Sequence, residues 1–181
     1  MGKLWLPLWV LFFLIMGCAS MEAQPMEVKE AKYGKHVPVI TESFASKQLR
    51  PGDTWMVYLK ASNPDGDMEN ILCTIVQPGV GEYPLSINRI KKGDRKELNG
   101  YMYLPTVGQD TRLNLVNLTL TVQIQDKAGH YSAPVSFPLT FNTRYSQEQP
   151  PKGEFQNHDL GPIMIQVHPL GEGRPADGGR F

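Results

Sequence analysis

Residues 118–125 read LTLTVQIQ and alternate strictly between apolar and polar side chains. Successive side chains of a β-strand point to opposite faces, so this period of two predicts a strand with one buried face. The residues expected to face a core are Leu118, Leu120, Val122 and Ile124. Those expected to face solvent are Thr119, Thr121, Gln123 and Gln125. The segment therefore favours a β-protein.

Similar runs lie on both sides of this strand. Downstream, DKAGHYS at 126–132 predicts a hairpin turn in which Gly129 supplies a positive φ, and APVSFPLTF at 133–141 completes the hairpin. Upstream, further strands are predicted at residues 37–46, 54–61, 71–77, 83–90 and 95–104. No segment between 37 and 142 has a helical period. About seven strands at this spacing predict an all-β sandwich.

The predicted strands also carry a likeness to a known superfamily. Trp55 in the second strand, NPDGDM at 63–68, and VQIQDKAGHYSAPVSFPLTF at 122–141 are the features concerned. With them, residues 37–142 resemble the immunoglobulin-like domains of bacteria, including fibronectin type III-like and cadherin-like modules. The resemblance implies a single immunoglobulin-like sandwich over this range.

The amino terminus has a different composition from the rest of the chain. Lys3 precedes an apolar run from Leu4 to Met16. A helix of that length would extend about 20 Å, which is short of the ~30 Å hydrocarbon core of a bilayer. A cleaved export signal fits the run better than a permanent membrane span.

The end of the run, Ile15-Met16-Gly17-Cys18, resembles the lipobox of bacterial lipoproteins. The resemblance implies that residues 1–17 are a cleaved signal peptide and that Cys18 carries a lipid anchor of diacylglyceryl and an acyl chain such as palmitate. By resemblance, Ala19 favours the outer membrane. An ordinary signal peptide with a chance cysteine is the alternative.

The lipobox and the strand pattern together divide the chain into four parts. Residues 18–36 are expected to form a flexible lipidated tether that precedes the sandwich domain at 37–142. Residues 143–181 are rich in Pro, Gly and charge, and predict an extended or disordered tail with a short strand near 162–168.

The loop after the second strand is the one candidate metal site. Its oxygen-bearing side chains are Asn63, Asp65, Asp67 and Glu69. Ca²⁺ takes six to eight oxygen ligands, so this loop could contribute to a calcium site. The alternative is a simple turn in which Asp side chains bond the local backbone. Apart from Ca²⁺, no cofactor is expected.

Other candidate residues are aromatic, sulfur-containing or imidazole groups. Tyr58, Tyr101 and Tyr103 are expected to face outward and could form a binding surface. Cys73 lies in an apolar run and is expected to be a small buried side chain. The four histidines, which lack metal-ligand spacing, are expected to be solvated: His36, His130, His158 and His168.

Charge and motif content limit the function classes. Lys and Arg total 18 and Asp and Glu total 18, so nothing favours nucleic acid as a partner. Because no motif indicates catalysis, we expect a non-enzymatic module that binds or scaffolds in the bacterial envelope. Its expected partners are membrane lipid, through the anchor, and an envelope or surface protein. The alternative is a carbohydrate- or calcium-binding accessory to an envelope enzyme.

Overall fold

The computed structural model describes residues 24–106 and 111–169. These residues form a short helix, α1 (Met26–Tyr33), and ten strands. The strands are β1 (Val39–Ala45), β2 (Gln48–Leu49), β3 (Thr54–Ser62), β4 (Met68–Gln77), β5 (Gly81–Glu82), β6 (Ser86–Arg89), β7 (Glu97–Pro105), β8 (Asn117–Asp126), β9 (Val135–Phe141) and β10 (Asp159–Pro162). Single 3₁₀ turns occur at Lys92–Asp94 and Thr111–Leu113.

The strands form two sheets that pack face to face. One sheet has the order β1-β3-β7-β10, and the other has the order β2-β9-β8-β4-β5 with β6 also paired to β4. Neighbouring strands are antiparallel except for the pairs β10–β7 and β2–β9. The predicted all-β sandwich is therefore confirmed.

The chain passes from one sheet to the other between β1 and β2. β1 pairs with β3 in the first sheet, whereas β2 pairs with β9 in the second. The crossing is fixed from inside the core, because the indole Nε1 of the buried Trp55 donates to the Ser46 carbonyl oxygen at 2.8 Å. This bond satisfies the polar group of a large aromatic side chain that is otherwise packed among apolar residues.

The core lies between the sheets and follows the period of two. In β8 the predicted inward residues are all buried: Leu118, Leu120, Val122 and Ile124. β3 and β7 supply the facing layer: Trp55, Val57, Leu59, Leu98, Met102 and Leu104. Full burial of each large apolar side chain contributes roughly 1.5–3 kcal/mol, which is the main stabilisation of the sandwich.

Each of the seven predicted strand regions contains a strand. The two strands for which there was no prediction are β2 and β5, which have only two residues each. Such short segments hold too few residues to show an alternating pattern, so sequence periodicity does not detect them.

The chain beyond residue 142 stays on the sandwich through Pro169, so the packed body is larger than the expected 37–142. The carboxy-terminal strand lies at Asp159–Pro162, not near 162–168, and pairs with β7. After it, Ile163 and Ile165 enter the core. Gly100 in β7 permits the close approach of the chain just before β10, because a side chain at this position would overlap the backbone carbonyl of His158.

The segment from 24 to 36 also differs from the expected flexible tether. Residues 26–33 form α1, which has no buried residue, and the chain then returns to the sandwich through Gly34 and His36. Within the described ranges, no helix is both long and apolar enough to span a bilayer. Cys18 and the signal peptide lie outside the described residues.

The sandwich has two ends, which carry the candidate sites. The helix end holds α1, the β3–β4 turn at 63–67 and the β8–β9 turn at 127–134. The distal end holds the turns at 114–116 and 142–145. β8 runs from the distal end to the helix end, since Asn117 pairs with Thr140 and Asp126 pairs with Met68.

Candidate functional site

The four predicted calcium ligands, in and just after the β3–β4 turn, contact different partners. The Asn63 amide donates to Asp67 Oδ1 at 2.8 Å, and Asp65 and Glu69 pair with His36 and Arg89. In residues 24–106 and 111–169, no three acidic, histidine or cysteine side chains are grouped to hold a metal. Calcium binding by this loop stays a prediction, and the observed contacts favour a docking role instead.

Asp65 holds the start of the sandwich domain against the turn. The His36 backbone N–H donates to Asp65 Oδ2 at 2.8 Å, and His36 Nδ1 lies 2.8 Å from Asp65 Oδ1. The backbone hydrogen bond from His36, followed by its side chain, lowers the pKa of the Asp65 carboxyl. Gly34, with φ of 116°, lets the chain approach so closely that a Cβ would overlap Asp65.

His130 connects α1 to the end of β8, in the second sheet. Its Nδ1 lies 2.9 Å from Asp126 Oδ2 and its Nε2 lies 3.1 Å from Glu30 Oε1. The His130 side chain is only 11% exposed, so the prediction of a solvated histidine is wrong at this position. Both ring nitrogens donate to carboxylates only when the imidazole is doubly protonated. Accordingly, the Glu30 hydrogen bond and the Asp126 interactions raise the pKa of His130.

Asp126 organises the turn that presents His130. Its side chain has no exposure, and its Oδ1 accepts the backbone N–H groups of Gly129 and His130, each at 2.8 Å. These bonds explain why a charged side chain is buried here, since a carboxylate out of water needs donors around it. The pairing residues form what we call the N-terminal clasp: Glu30, Gly34, His36, Asp65, Asp126 and His130.

Asp67 lies beside the clasp and is 4% exposed. Its Oδ1 accepts from Asn63, while its Oδ2 has no hydrogen-bond partner among the described residues. Burial, and then the charges of Asp126 and Asp65, raise the pKa of the Asp67 carboxyl. The helix end therefore concentrates three aspartates, of which Asp65 and Asp126 are paired with histidines and Asp67 has one oxygen without a hydrogen-bond partner among the described residues.

The predicted tyrosine surface lies on the outer face of the first sheet. Tyr58 and Tyr101 are cross-strand partners with ring centroids 5.9 Å apart, and Tyr103 is the partner of Met56. Burial and the neighbouring Tyr101 raise the pKa of the Tyr58 phenol. The structure therefore brings the first two tyrosines into contact.

This aromatic pair is partly covered by the chain itself. Phe155, from the segment between β9 and β10, lies with its ring centroid 5.5 Å from that of Tyr58. Lys60 Nζ is 5.5 Å from the Phe155 ring centroid, at a distance suited to a cation–π interaction. Tyr58 and Tyr101 therefore form a half-buried cluster with Phe155 and do not constitute an open platform.

Cys73 is fully buried, as expected, and its Sγ is 3.9 Å from the Met102 sulfur. Burial raises the pKa of its thiol to about 12, so the group stays protonated and unreactive near neutral pH.

Sequence reasoning missed the residues that carry the clasp and the aromatic cover. Glu30 and His130 are 100 positions apart, and Phe155 lies in a segment that has no periodic pattern. The one residue of the clasp with a local sequence signal is Asp126, because an Asp three residues before Gly129 is typical of a hairpin turn.

Comparison with known proteins finds no family model that matches the chain and no curated protein that matches it.

Proposed function

We propose that this protein is an exported bacterial lipoprotein whose β-sandwich acts as a non-enzymatic binding or scaffolding module in the cell envelope. The Ile15–Cys18 motif supports the lipid anchor at Cys18, with the outer membrane as the favoured location. The packed two-sheet body supports a role as a rigid module.

The N-terminal clasp is the observation that carries this proposal furthest. Because His36 and Glu30 fix the described segment to the helix end, only six peptide steps of sequence separate Cys18 from Gln24, where the described residues begin. Six peptide steps extend at most about 20 Å. An anchor at Cys18 would thus keep the helix end near the lipid surface and turn the distal end away from it.

The anchor is tested by expressing the full chain in a bacterial host with a clickable palmitate analogue. We expect the label to enter the protein, mass spectrometry to place it on residue 18, and Cys18→Ser to abolish it. A processed protein that retains a free Cys18 thiol would contradict the anchor.

The binding role is tested by crosslinking in intact cells and purification from solubilised membranes at several salt concentrations. We expect a defined crosslinked species that depends on the folded sandwich. Recovery of the monomer alone under every condition would contradict a scaffolding role, whatever the result of the palmitate experiment.

The Tyr58–Tyr101 pair supports a second candidate, an accessory module that binds carbohydrate or calcium. Tyrosine rings within 6 Å of one another can stack on sugar rings, although Phe155 now occupies part of this face. Thermal unfolding with CaCl₂, with chelator and with cell-wall polysaccharide tests this candidate. If no addition shifts the midpoint of thermal unfolding, either in the wild type or in Phe155→Ala, the accessory-module candidate is ruled out.

A further inference from the structure

The distal end carries an open cleft that none of the sites above includes. It is lined by two turns and has a volume of about 420 Å³. Its lining residues are Asn114, Leu115, Asn142, Thr143, Arg144 and Tyr145.

The cleft is held in one shape by hydrogen bonds between its two walls. The Thr143 N–H donates to Asn114 Oδ1 at 3.2 Å, and the Leu115 N–H donates to the Phe141 carbonyl at 2.8 Å. Within the second turn, the Arg144 N–H donates to Asn142 Oδ1. The side chains at the rim are therefore presented from a fixed backbone, which lowers the entropy lost when a partner binds.

Leu115 is unusual in both conformation and exposure. Its φ is 67°, in the left-handed region that favours glycine and asparagine, and its side chain is 66% exposed. A leucine here bears backbone strain and buries little apolar surface in return. Such strain with no local compensation is the pattern found where a residue serves a function.

The neighbouring side chains are suited to recognition. Tyr145 is 50% exposed at the opposite wall. Arg144 is exposed, and it forms no ion pair with any residue that the structure describes. Tyrosine and arginine are the residue types that most often dominate binding energy at protein interfaces, and arginine pairs with carboxylates in a planar bidentate geometry.

We propose that the distal cleft binds a protein partner by pairing Arg144 with an acidic side chain and packing an adjacent apolar side chain between Leu115 and Tyr145. This proposal rests on the binding function proposed above, and it names the surface and the chemistry of the partner. A branched aliphatic side chain at the rim matches an apolar protein side chain better than the hydroxyl-rich face of a sugar.

The experiment is a selection of a phage-displayed random-peptide library on the purified protein, followed by affinity measurements with the enriched peptides made synthetically. We expect these peptides to share an acidic residue next to an apolar one, and to shift the amide resonances of residues 114–116 and 142–145. Arg144→Glu and Leu115→Asn are each expected to weaken binding by about tenfold or more, the size typical of a residue that dominates an interface.

Two further measurements separate binding from folding. Lys152→Glu reverses an exposed charge on another part of the surface and should leave peptide affinity unchanged. Leu115→Asn should unfold at or above the wild-type temperature, because asparagine tolerates the left-handed conformation. Loss of binding without loss of stability is a result that a purely structural role for Leu115 would not give.

The proposal is overturned if the enriched peptides shift resonances elsewhere, if Arg144→Glu binds them as the wild type does, or if no peptide is enriched over selection on Arg144→Glu. Peptides that bind at another surface would show that the distal cleft is not the binding site, while leaving the proposed binding function in place. The palmitate experiment on Cys18 reports separately on the anchor.

Discussion

The two ends of this sandwich use polar side chains in opposite ways. At the helix end, Asp65, Asp126 and Glu30 are each engaged by a histidine of the same chain. At the distal end, Arg144 and Tyr145 are exposed, and Leu115 accepts a strained backbone without being buried. The helix end pairs these three carboxylates internally and fixes the amino-terminal segment, whereas the distal end leaves Arg144 and Tyr145 exposed.

This contrast assigns different roles to the two ends of the sandwich. Internally satisfied charges contribute to stability and offer little to a ligand, because their hydrogen-bonding capacity is already used. Exposed arginine and aromatic groups on a rigid backbone contribute little to folding and much to association. Stability changes should therefore concentrate at the helix end, and binding changes at the distal end.

The largest effect on stability is expected from Asp126→Ala. The substitution removes the side-chain acceptor of two half-buried backbone N–H groups and a carboxylate from His130, which costs about 3 kcal/mol in the free energy of unfolding. Asp126→Asn keeps an oxygen acceptor and should lose about 1 kcal/mol. Urea unfolding of both variants measures the difference, and equal losses would contradict the role given to the backbone bonds.

A smaller and more local effect is expected from Gly34→Ala. The alanine meets both an unfavourable φ and the Asp65 carboxylate, so docking of residues 26–36 should weaken by about 1–3 kcal/mol. Because α1 buries no residue, the core should unfold nearly as before. Hydrogen exchange by mass spectrometry should show faster exchange in this segment alone.

Gly81→Ala provides the matched control for Gly34→Ala. Gly81 also has a positive φ, of 106°, but a side chain there would meet nothing within 4 Å. We therefore expect backbone strain at β5 and an unchanged exchange rate in α1. Faster exchange of α1 in this control would mean that strain anywhere loosens the helix, and that the Asp65 contact is not specific.

Docking of α1 should also depend on pH. His130 has a raised folded pKa, so its contribution is fully present below the ordinary value of 6.5 and is lost as the pH rises through the raised value. Asp65 has a lowered folded pKa, so its contribution is present above 3.8 and is lost as the pH falls through the lowered value. Between 3.8 and 6.5 both contributions are present.

Other charged groups around His130 modify this window without reversing it. Asp67 has a raised pKa and therefore costs stability as it ionises above 3.8. Lys127 lies on the same turn with its Nζ 5.4 Å from the Tyr33 ring centroid. Exchange of α1 amides, corrected for intrinsic rates, should accelerate above neutral pH in the wild type and much less in His130→Gln. Identical pH profiles for the two proteins would contradict the clasp.

The smallest effect on stability is expected from Leu115→Asn, and its sign is opposite. Relief of left-handed strain should raise the free energy of unfolding by up to about 1 kcal/mol, because little packing is lost from an exposed side chain. Differential scanning calorimetry measures the shift. A destabilisation as large as that of Asp126→Asn would show that Leu115 is a structural residue and that the two ends do not differ in this way.

The sequence predicted the sandwich because its signals are local. Alternation in β8 identifies Leu118 and Ile124 as core residues within a single strand, and the apolar run around Cys73 indicates its burial. Each prediction requires only the period of a strand and the chemistry of one side chain.

The clasp and the distal cleft could not be predicted, because their parts come together only in the folded chain. His130 meets Glu30 across 100 positions, and no pattern in either neighbourhood indicates the other. The acidic β3–β4 turn has the same composition whether its carboxylates bind a metal, the backbone or a histidine. Likewise, Leu115 looks like an ordinary apolar residue until its φ is known.

A pulsed-EPR distance shows whether the amino-terminal segment is fixed at the end of the sandwich opposite the proposed recognition surface. Spin labels at Val28 and Thr143 in a Cys18→Ser background avoid Cys73, whose buried thiol has a pKa of about 12. Because β8 alone covers roughly 30 Å between the ends, we expect one narrow distance distribution centred at about that value or longer. That distribution should broaden in Gly34→Ala. A broad distribution without the Gly34→Ala substitution, or a distance well below about 30 Å, would show that the segment is not fixed at the helix end.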